Sequence, residues 1–302
     1  MPVRPDDSRF GSVLVPTVTP FADGAVDADA LAALTDFLVG RGVDGLVPCG
    51  TTGEFASLDD DEYETVVSTT VDAAGDASVV AGTAATSVAG AVSRIETAAD
   101  CGADAALLTL PYFHAANDPA GNERFLRAVL AETTLPVVLY NIPSCVGQSV
   151  TADLVTAVAD HPDLVGMKDS SGDLTAFCDV IRRTGEEFHL FQGFDSQFVP
   201  GVSMGATGGI NALANVVPEA FDAAVDAVQA GEFDRAREIQ LDHVAPLFGA
   251  CLDHGFAPVT KTALVARGVL DDDAVRPPLV ELDADAAASV GETVESAVDA
   301  LA

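Results

Sequence analysis

The stretch VVLYNIPSCVGQSVTADLVTAVADHPDLVGMK, residues 137–168, decides the fold. It opens on an apolar run, Val137–Tyr140, breaks at Pro143 and continues as an amphipathic segment over Ala152–Ala159. A second apolar run, Leu164–Lys168, closes it. Two short apolar runs joined by a helical segment are the pattern of a βαβ unit, because parallel neighbours need a crossover and a helix supplies it. Outward in both directions the pattern recurs every ~25–30 residues, as such units do. Runs at Val13–Val18, Gly45–Pro48, Val79–Gly82 and Ala105–Leu110 precede it, and runs at His189–Gln192 and Thr207–Ile210 follow. The segments between read as helices over Ala28–Val39, Asp59–Ala73, Ser87–Asp100, Asn122–Glu132, Asp173–Arg183, Gln197–Met204 and Pro218–Ala230. Asp27 is placed to cap the first, with Leu31, Leu34 and Leu38 as its apolar stripe. Eight strands, each followed by a helix, predict an α/β fold of the (β/α)8 TIM-barrel type; six would point to a doubly wound sheet.

Three further helical segments, Phe233–Cys251, Val259–Arg267 and Leu279–Leu301, predict a C-terminal helical extension, with Pro277-Pro278 punctuating its last connection. The expected organisation is a catalytic barrel over residues 1–230 and the extension over residues 231–302. The 302 residues suit one such unit, and an apolar share of 49% can fill its interior. Aromatics make up only 6%, without any Trp, so the core is built from small and branched side chains.

Asp and Glu number 47 against 14 Lys and Arg, for a formal net charge of -33. A field of that sign repels nucleic acid and anionic membrane, so neither is an expected partner. Acidic disorder is the bland alternative, and the apolar content argues against it. A carboxylate-rich surface on a folded protein predicts a halophilic host, where concentrated salt screens the self-repulsion. The five cysteines are scattered and include no C-x-x-C pair, which fits reduced thiols. No charged-then-apolar leader opens the chain and no run of ~18 apolar residues lies in it, so a cytoplasmic location is expected.

Active sites of such barrels sit at the C-terminal ends of the strands. Lys168 stands out there by rarity, because the chain has only two lysines, Lys168 and Lys261, and its other twelve basic residues are arginine. Successive strand residues point to opposite faces, so Lys168 and Asp169 should not both enter the barrel. An amine among apolar walls is desolvated and becomes available as a nucleophile; a structural lysine paired at a strand end is the competing reading. Gly50-Thr51-Thr52-Gly53 offers hydroxyls and N–H groups suited to a small carboxylate, or is an ordinary Gly-bracketed turn. Tyr140, one of three tyrosines, could relay a proton or simply line a pocket. Glu54 reads as a first-turn helix carboxylate. The histidines show neither H-x-H nor H-E-x-x-H spacing, so a zinc-dependent aldolase finds no support and no metal site is expected.

Gly50-Thr51-Thr52-Gly53-Glu54, Tyr140-Asn141-Ile142-Pro143, Gly166-Met167-Lys168-Asp169 and Gly208-Gly209-Ile210, together and in this order, resemble the N-acetylneuraminate lyase / dihydrodipicolinate synthase family of class I pyruvate aldolases. The resemblance runs from about Gly11 into the C-terminal helices. It implies that Lys168 forms a Schiff base with a 2-keto acid such as pyruvate, that Tyr140 moves protons, and that Thr51 and Thr52 hold the carboxylate. It further implies that Thr51 hydrogen-bonds to Tyr140, that Gly50, Gly193, Ile210 and Ser170 complete the binding site, and that Lys261 is structural. No metal and no dissociable cofactor are implied, and a homotetramer built as a dimer of dimers is.

Two residues depart from the synthase pattern. Cys145 stands where those enzymes carry an arginine for the aldehyde's carboxylate, and Phe113 stands where they carry a second tyrosine. Both changes point to an aldolase that splits a 2-keto-3-deoxy sugar acid, of the 2-keto-3-deoxygluconate type, into pyruvate and a neutral hydroxyaldehyde such as glyceraldehyde. A 2-keto-3-deoxy sugar-acid dehydratase and 4-hydroxy-tetrahydrodipicolinate synthase are the alternatives on the same scaffold, with a sialic acid lyase behind them. A non-catalytic binding barrel is a further class, opposed by the retained Lys168, Tyr140 and Thr51.

Overall fold

Eight short aliphatic strands close into one parallel barrel in a computed structural model that describes residues 10–299. They are β1 Val13–Val15, β2 Gly45–Leu46, β3 Ser78–Gly82, β4 Ala105–Thr109, β5 Val137–Asn141, β6 Leu164–Asp169, β7 His189–Gln192 and β8 Gly208–Ile210. Each pairs with its neighbours in sequence, and β8 closes the ring on β1 through Val13↔Gly209 and Leu14↔Ile210. The outer helices are α1 Ala28–Val39, α2 Asp60–Ala73, α3 Val88–Asp100, α4 Pro119–Leu130, α5 Ala152–Val158, α6 Leu174–Arg183, α7 Phe198–Ser203 and α8 Pro218–Ala230. The expected TIM barrel is the observed fold.

The helices start where short polar side chains satisfy their first N–H groups. Asp27 accepts from the Ala30 N–H at 2.9 Å, and Asp59 and Glu62 form a reciprocal capping box. Ser87, Asp118, Thr151 and Asp173 cap α3 to α6 in the same way. Each such cap contributes ~1 kcal/mol.

The extension consists of α9 Phe233–Ile239, α10 Ala245–His254, α11 Phe256–Ala266 and α12 Ala284–Asp299. The helix expected to run unbroken from Phe233 to Cys251 contains a π-helical segment, Gln240–Val244. Gln240 lies at its start, donating to the Asp195 carbonyl at 3.1 Å and accepting from the Val199 N–H at 3.0 Å. Such insertions re-aim a side chain at the cost of regular pairing. The last helix begins at Ala284 because Asp283 caps it through the Ala286 N–H; its expected end, Leu301, lies outside the described residues. Val259, Ala263 and Leu264 of α11 share one buried cluster with Leu31 and Phe221 of the barrel helices. The extension therefore packs into the barrel's own core.

Candidate active site

Tyr140 and Lys168 each lie one residue from the end of their strands, β5 and β6, and the two are direct partners across them. Partners in a parallel sheet face the same side, so both side chains enter the barrel mouth, with the Lys168 Nζ 4.3 Å from the centre of the Tyr140 ring. A β-bulge produces this pairing. Val137 pairs with Leu164, but Val138 pairs with Gly166, so Val165 is the extra residue. Without the skip Tyr140 would face Met167, and Lys168 would point to the opposite side. The next pair, Asn141↔Asp169, faces outward. There the Asp169 carboxylate accepts from Asn141 Nδ2 at 2.8 Å and from Ser171 Oγ at 2.6 Å, while Asn141 Oδ1 accepts from the Val150 N–H. This network ties the connection that follows β5 to the strand bearing Lys168.

The two lysines are both buried and differ in one respect. Lys261 is wholly enclosed and bonds to Glu54 Oε1 and the Ala274 carbonyl, each at 2.6 Å. Lys168, 4% exposed, has no hydrogen bond or ion pair among the described residues. Buried cations are normally paired, so an amine left unpaired at a barrel mouth is held for something other than stability.

Gly193 follows β7 and makes room for that amine. A Cβ there would lie 2.7 Å from Lys168 Cε and 2.3 Å from Ser170 Oγ. Ser170 Oγ donates to the Gly193 carbonyl at 2.9 Å, which fixes the turn beside Lys168. Ile210, fully buried, ends β8.

The Gly50–Gly53 turn follows β2, the strand opposite β6 in the ring. Two non-glycine residues in left-handed conformation bracket it, Cys49 at φ 56° and Glu54 at φ 54°. Each costs ~1–2 kcal/mol, so the surroundings must hold the turn. Thr19 Oγ1 donates to the Gly53 carbonyl at 2.7 Å, and the Gly82 N–H donates to the Pro48 carbonyl at 2.8 Å. Thr51 is exposed and Thr52 buried. The expected bond between Thr51 and Tyr140 is not made; neither hydroxyl has a partner among the described residues.

Sequence reasoning passed over Asp195, which lies three residues beyond β7. It is 2% exposed, and its carboxylate accepts from the Leu213 N–H at 2.8 Å. Burial pushes its carboxyl up to about 6, against the pull of that N–H and of the Lys168 charge. No motif marks it; only the folded proximity to Lys168 does. Glu54 is likewise no first-turn helix carboxylate but the buried partner of Lys261. Among the described residues no group of three or more His, Cys, Asp or Glu is placed to hold a metal. No described helix is long and apolar enough to cross a membrane.

A (β/α)8 barrel with an unpaired buried lysine and a phenol side by side at its mouth has the form of a class I, lysine-based carbonyl enzyme. Residues 9–297 match the model of the dihydrodipicolinate synthetase family, and the chain belongs to that family of pyruvate-dependent carbon–carbon lyases. It is 40% identical over 235 residues to a 4-hydroxy-tetrahydrodipicolinate synthase of Natronomonas pharaonis, covering 77% of this chain and 80% of the relative. It is 36% identical over 293 residues to the 4-hydroxy-tetrahydrodipicolinate synthase of Methanosphaerula palustris, covering 95% and 99%. Among solved structures it is similar to a prophage protein of the dihydrodipicolinic acid synthase family from E. coli K12, in complex with pyruvate. That match has a TM-score of 0.91 and 28% identity, and covers 96% of this chain and 99% of the other.

Proposed function

We propose that Lys168 forms a Schiff base with pyruvate and that the enzyme is an aldolase of a 2-keto-3-deoxy sugar acid. The unpaired, buried Lys168 amine beside Tyr140 carries the first half. Its nitrogen adds to the C2 ketone, and the carbinolamine loses water to leave an iminium. The iminium withdraws the electron pair of the C3–C4 bond as that bond breaks, releasing the aldehyde and leaving an enamine. Protonation of the enamine at C3 and addition of water return pyruvate and the free amine. Tyr140 moves the protons to and from the carbinolamine and the C4 hydroxyl, and the Thr51-Thr52 turn binds the carboxylate, with Gly50, Gly193, Ile210 and Ser170 around it.

The acceptor rests on Cys145, which is exposed on the turn after β5 where an arginine would meet an aldehyde's carboxylate. Among the described residues no other guanidinium is free to take its place. Each of the ten described arginines bonds to a carboxylate or a main-chain carbonyl of its own. A pocket without a second cation suits a neutral hydroxyaldehyde. The names of the relatives favour a second reading, 4-hydroxy-tetrahydrodipicolinate synthase, and across whole chains they are the stronger guide. We favour the aldolase because Cys145 and Phe113 stand where the synthase pattern carries groups that meet the substrate. Assays separate them. Release of pyruvate and glyceraldehyde from 2-keto-3-deoxygluconate supports the aldolase, and condensation of pyruvate with aspartate semialdehyde supports the synthase. A new 2-keto product without pyruvate would mark a dehydratase. A cytoplasmic homotetramer in a halophilic host completes the proposal, motivated by the family and by the net charge of -33.

A further inference from the structure

Glu54 and Lys261 form a buried ion pair that joins the Thr51-Thr52 turn to the C-terminal extension, with both side chains fully enclosed. Every polar atom of the pair is used. Glu54 Oε1 accepts from Lys261 Nζ at 2.6 Å, and Oε2 accepts from the Arg276 N–H at 2.9 Å. Lys261 also donates to the Ala274 carbonyl at 2.6 Å, and its Nζ lies 4.2 Å from the centre of the Phe21 ring. The Arg276 guanidinium covers the same ring and bonds to Glu62 at the start of α2 and to the Ser57 carbonyl. Glu54 therefore receives its partners from α11 and from the segment after it, more than 200 residues away in sequence. It is also the left-handed residue, at φ 54°, on which the turn ends.

A buried charge pair is a poor source of stability but an accurate locator, because either charge alone would be stranded. We infer that the Glu54–Lys261 pair is a positioning device that fixes the Thr51 and Thr52 hydroxyls and N–H groups for the substrate carboxylate. The helical extension thereby forms part of the active site without touching substrate. This inference rests on the proposed carboxylate-binding role of the Thr51-Thr52 turn. It predicts a defect specific to carboxylate recognition, because Lys168 stands on the opposite strand.

The test compares two carbonyl compounds in borohydride trapping on the full chain: pyruvate, and acetone, which has the ketone and lacks the carboxylate. Glu54→Gln should raise the half-saturating pyruvate concentration about tenfold while leaving that for acetone unchanged, the scale of weakening one charge-assisted hydrogen bond. A parallel change for both ketones, or none for either, would overturn the inference. If Glu54→Gln does not fold, Lys261→Arg carries the same comparison, since it keeps the charge and displaces the donor. Failure of the unsubstituted protein to trap pyruvate would instead reject the Schiff-base proposal itself.

Discussion

Gly193→Ala tests the placement of Lys168 without altering any chemical group. The added methyl carbon would sit 2.7 Å from Lys168 Cε, 2.3 Å from Ser170 Oγ and 3.0 Å from the Asp169 carbonyl oxygen. Carbon atoms prefer separations of ~3.5–4.0 Å, so the lysine stem must move by about 1 Å. The backbone cannot yield instead, because the Gly193 N–H donates to that same Asp169 carbonyl at 2.7 Å. Overpacking of this kind costs ~1–3 kcal/mol of stability. A shift of about 1 Å in a reacting group lowers a rate by about a hundredfold. The assay is single-turnover trapping of pyruvate by borohydride, followed by protein mass, with urea midpoints measured alongside. Gly249→Ala is the control: nothing lies within 4 Å of its added carbon, and it stands inside α10. That change should stabilise by ~0.5–1 kcal/mol and leave trapping untouched. Trapping by Gly193→Ala at the unsubstituted rate would refute the crowding assigned to this turn.

Asp195→Asn tests the buried carboxyl. Because folding raises its pKa to about 6, its contribution to stability is full below an unfolded value near ~4 and is lost as pH climbs through about 6. The variant should therefore gain ~1–3 kcal/mol on the unsubstituted protein between about pH 5 and about pH 8, in urea midpoints at matched salt; an equal difference at both pH values contradicts this. Cys145→Arg restores a guanidinium and should favour an aldehyde bearing a carboxylate over glyceraldehyde by about tenfold or more in kcat/KM. An unchanged ratio would remove Cys145 as a determinant of the acceptor. The net charge of -33 predicts that circular dichroism reports lost structure when salt falls from molar levels to about 0.1 M. Full structure at low salt would contradict the halophilic reading.

The barrel was legible because its elements are locally consistent: α1 over Ala28–Val39, β7 over His189–Gln192 and α8 over Pro218–Ala230 lie where periodicity and caps place them. A hairpin, Phe21–Ala22 with Ala25–Val26, passed unread although its turn carries a signal. Asp23 and Gly24 both take positive φ, as a two-residue Asp-Gly turn requires. The bulge at Val165 leaves no such mark, since one more valine in an apolar run changes nothing in composition, yet it decides that Tyr140 meets Lys168. Glu54 was misread for a related reason. Its partners Lys261 and Arg276 come from the far end of the chain, and local pattern contains no long-range pairing. The residues that react were visible through rarity and strand-end position, whereas those that hold them in place emerge only from tertiary contacts.

The imine at Lys168 can be tested against an internal control that the chain itself supplies. Only two lysines are present, and Lys261 is fully enclosed and paired with Glu54. Incubation with pyruvate and borohydride, followed by peptide mass mapping, should therefore place one reduced pyruvyl adduct on Lys168 and none on Lys261. Lys168→Arg should abolish it. An unmodified protein, or an adduct that persists in Lys168→Arg, would rule out an imine at Lys168.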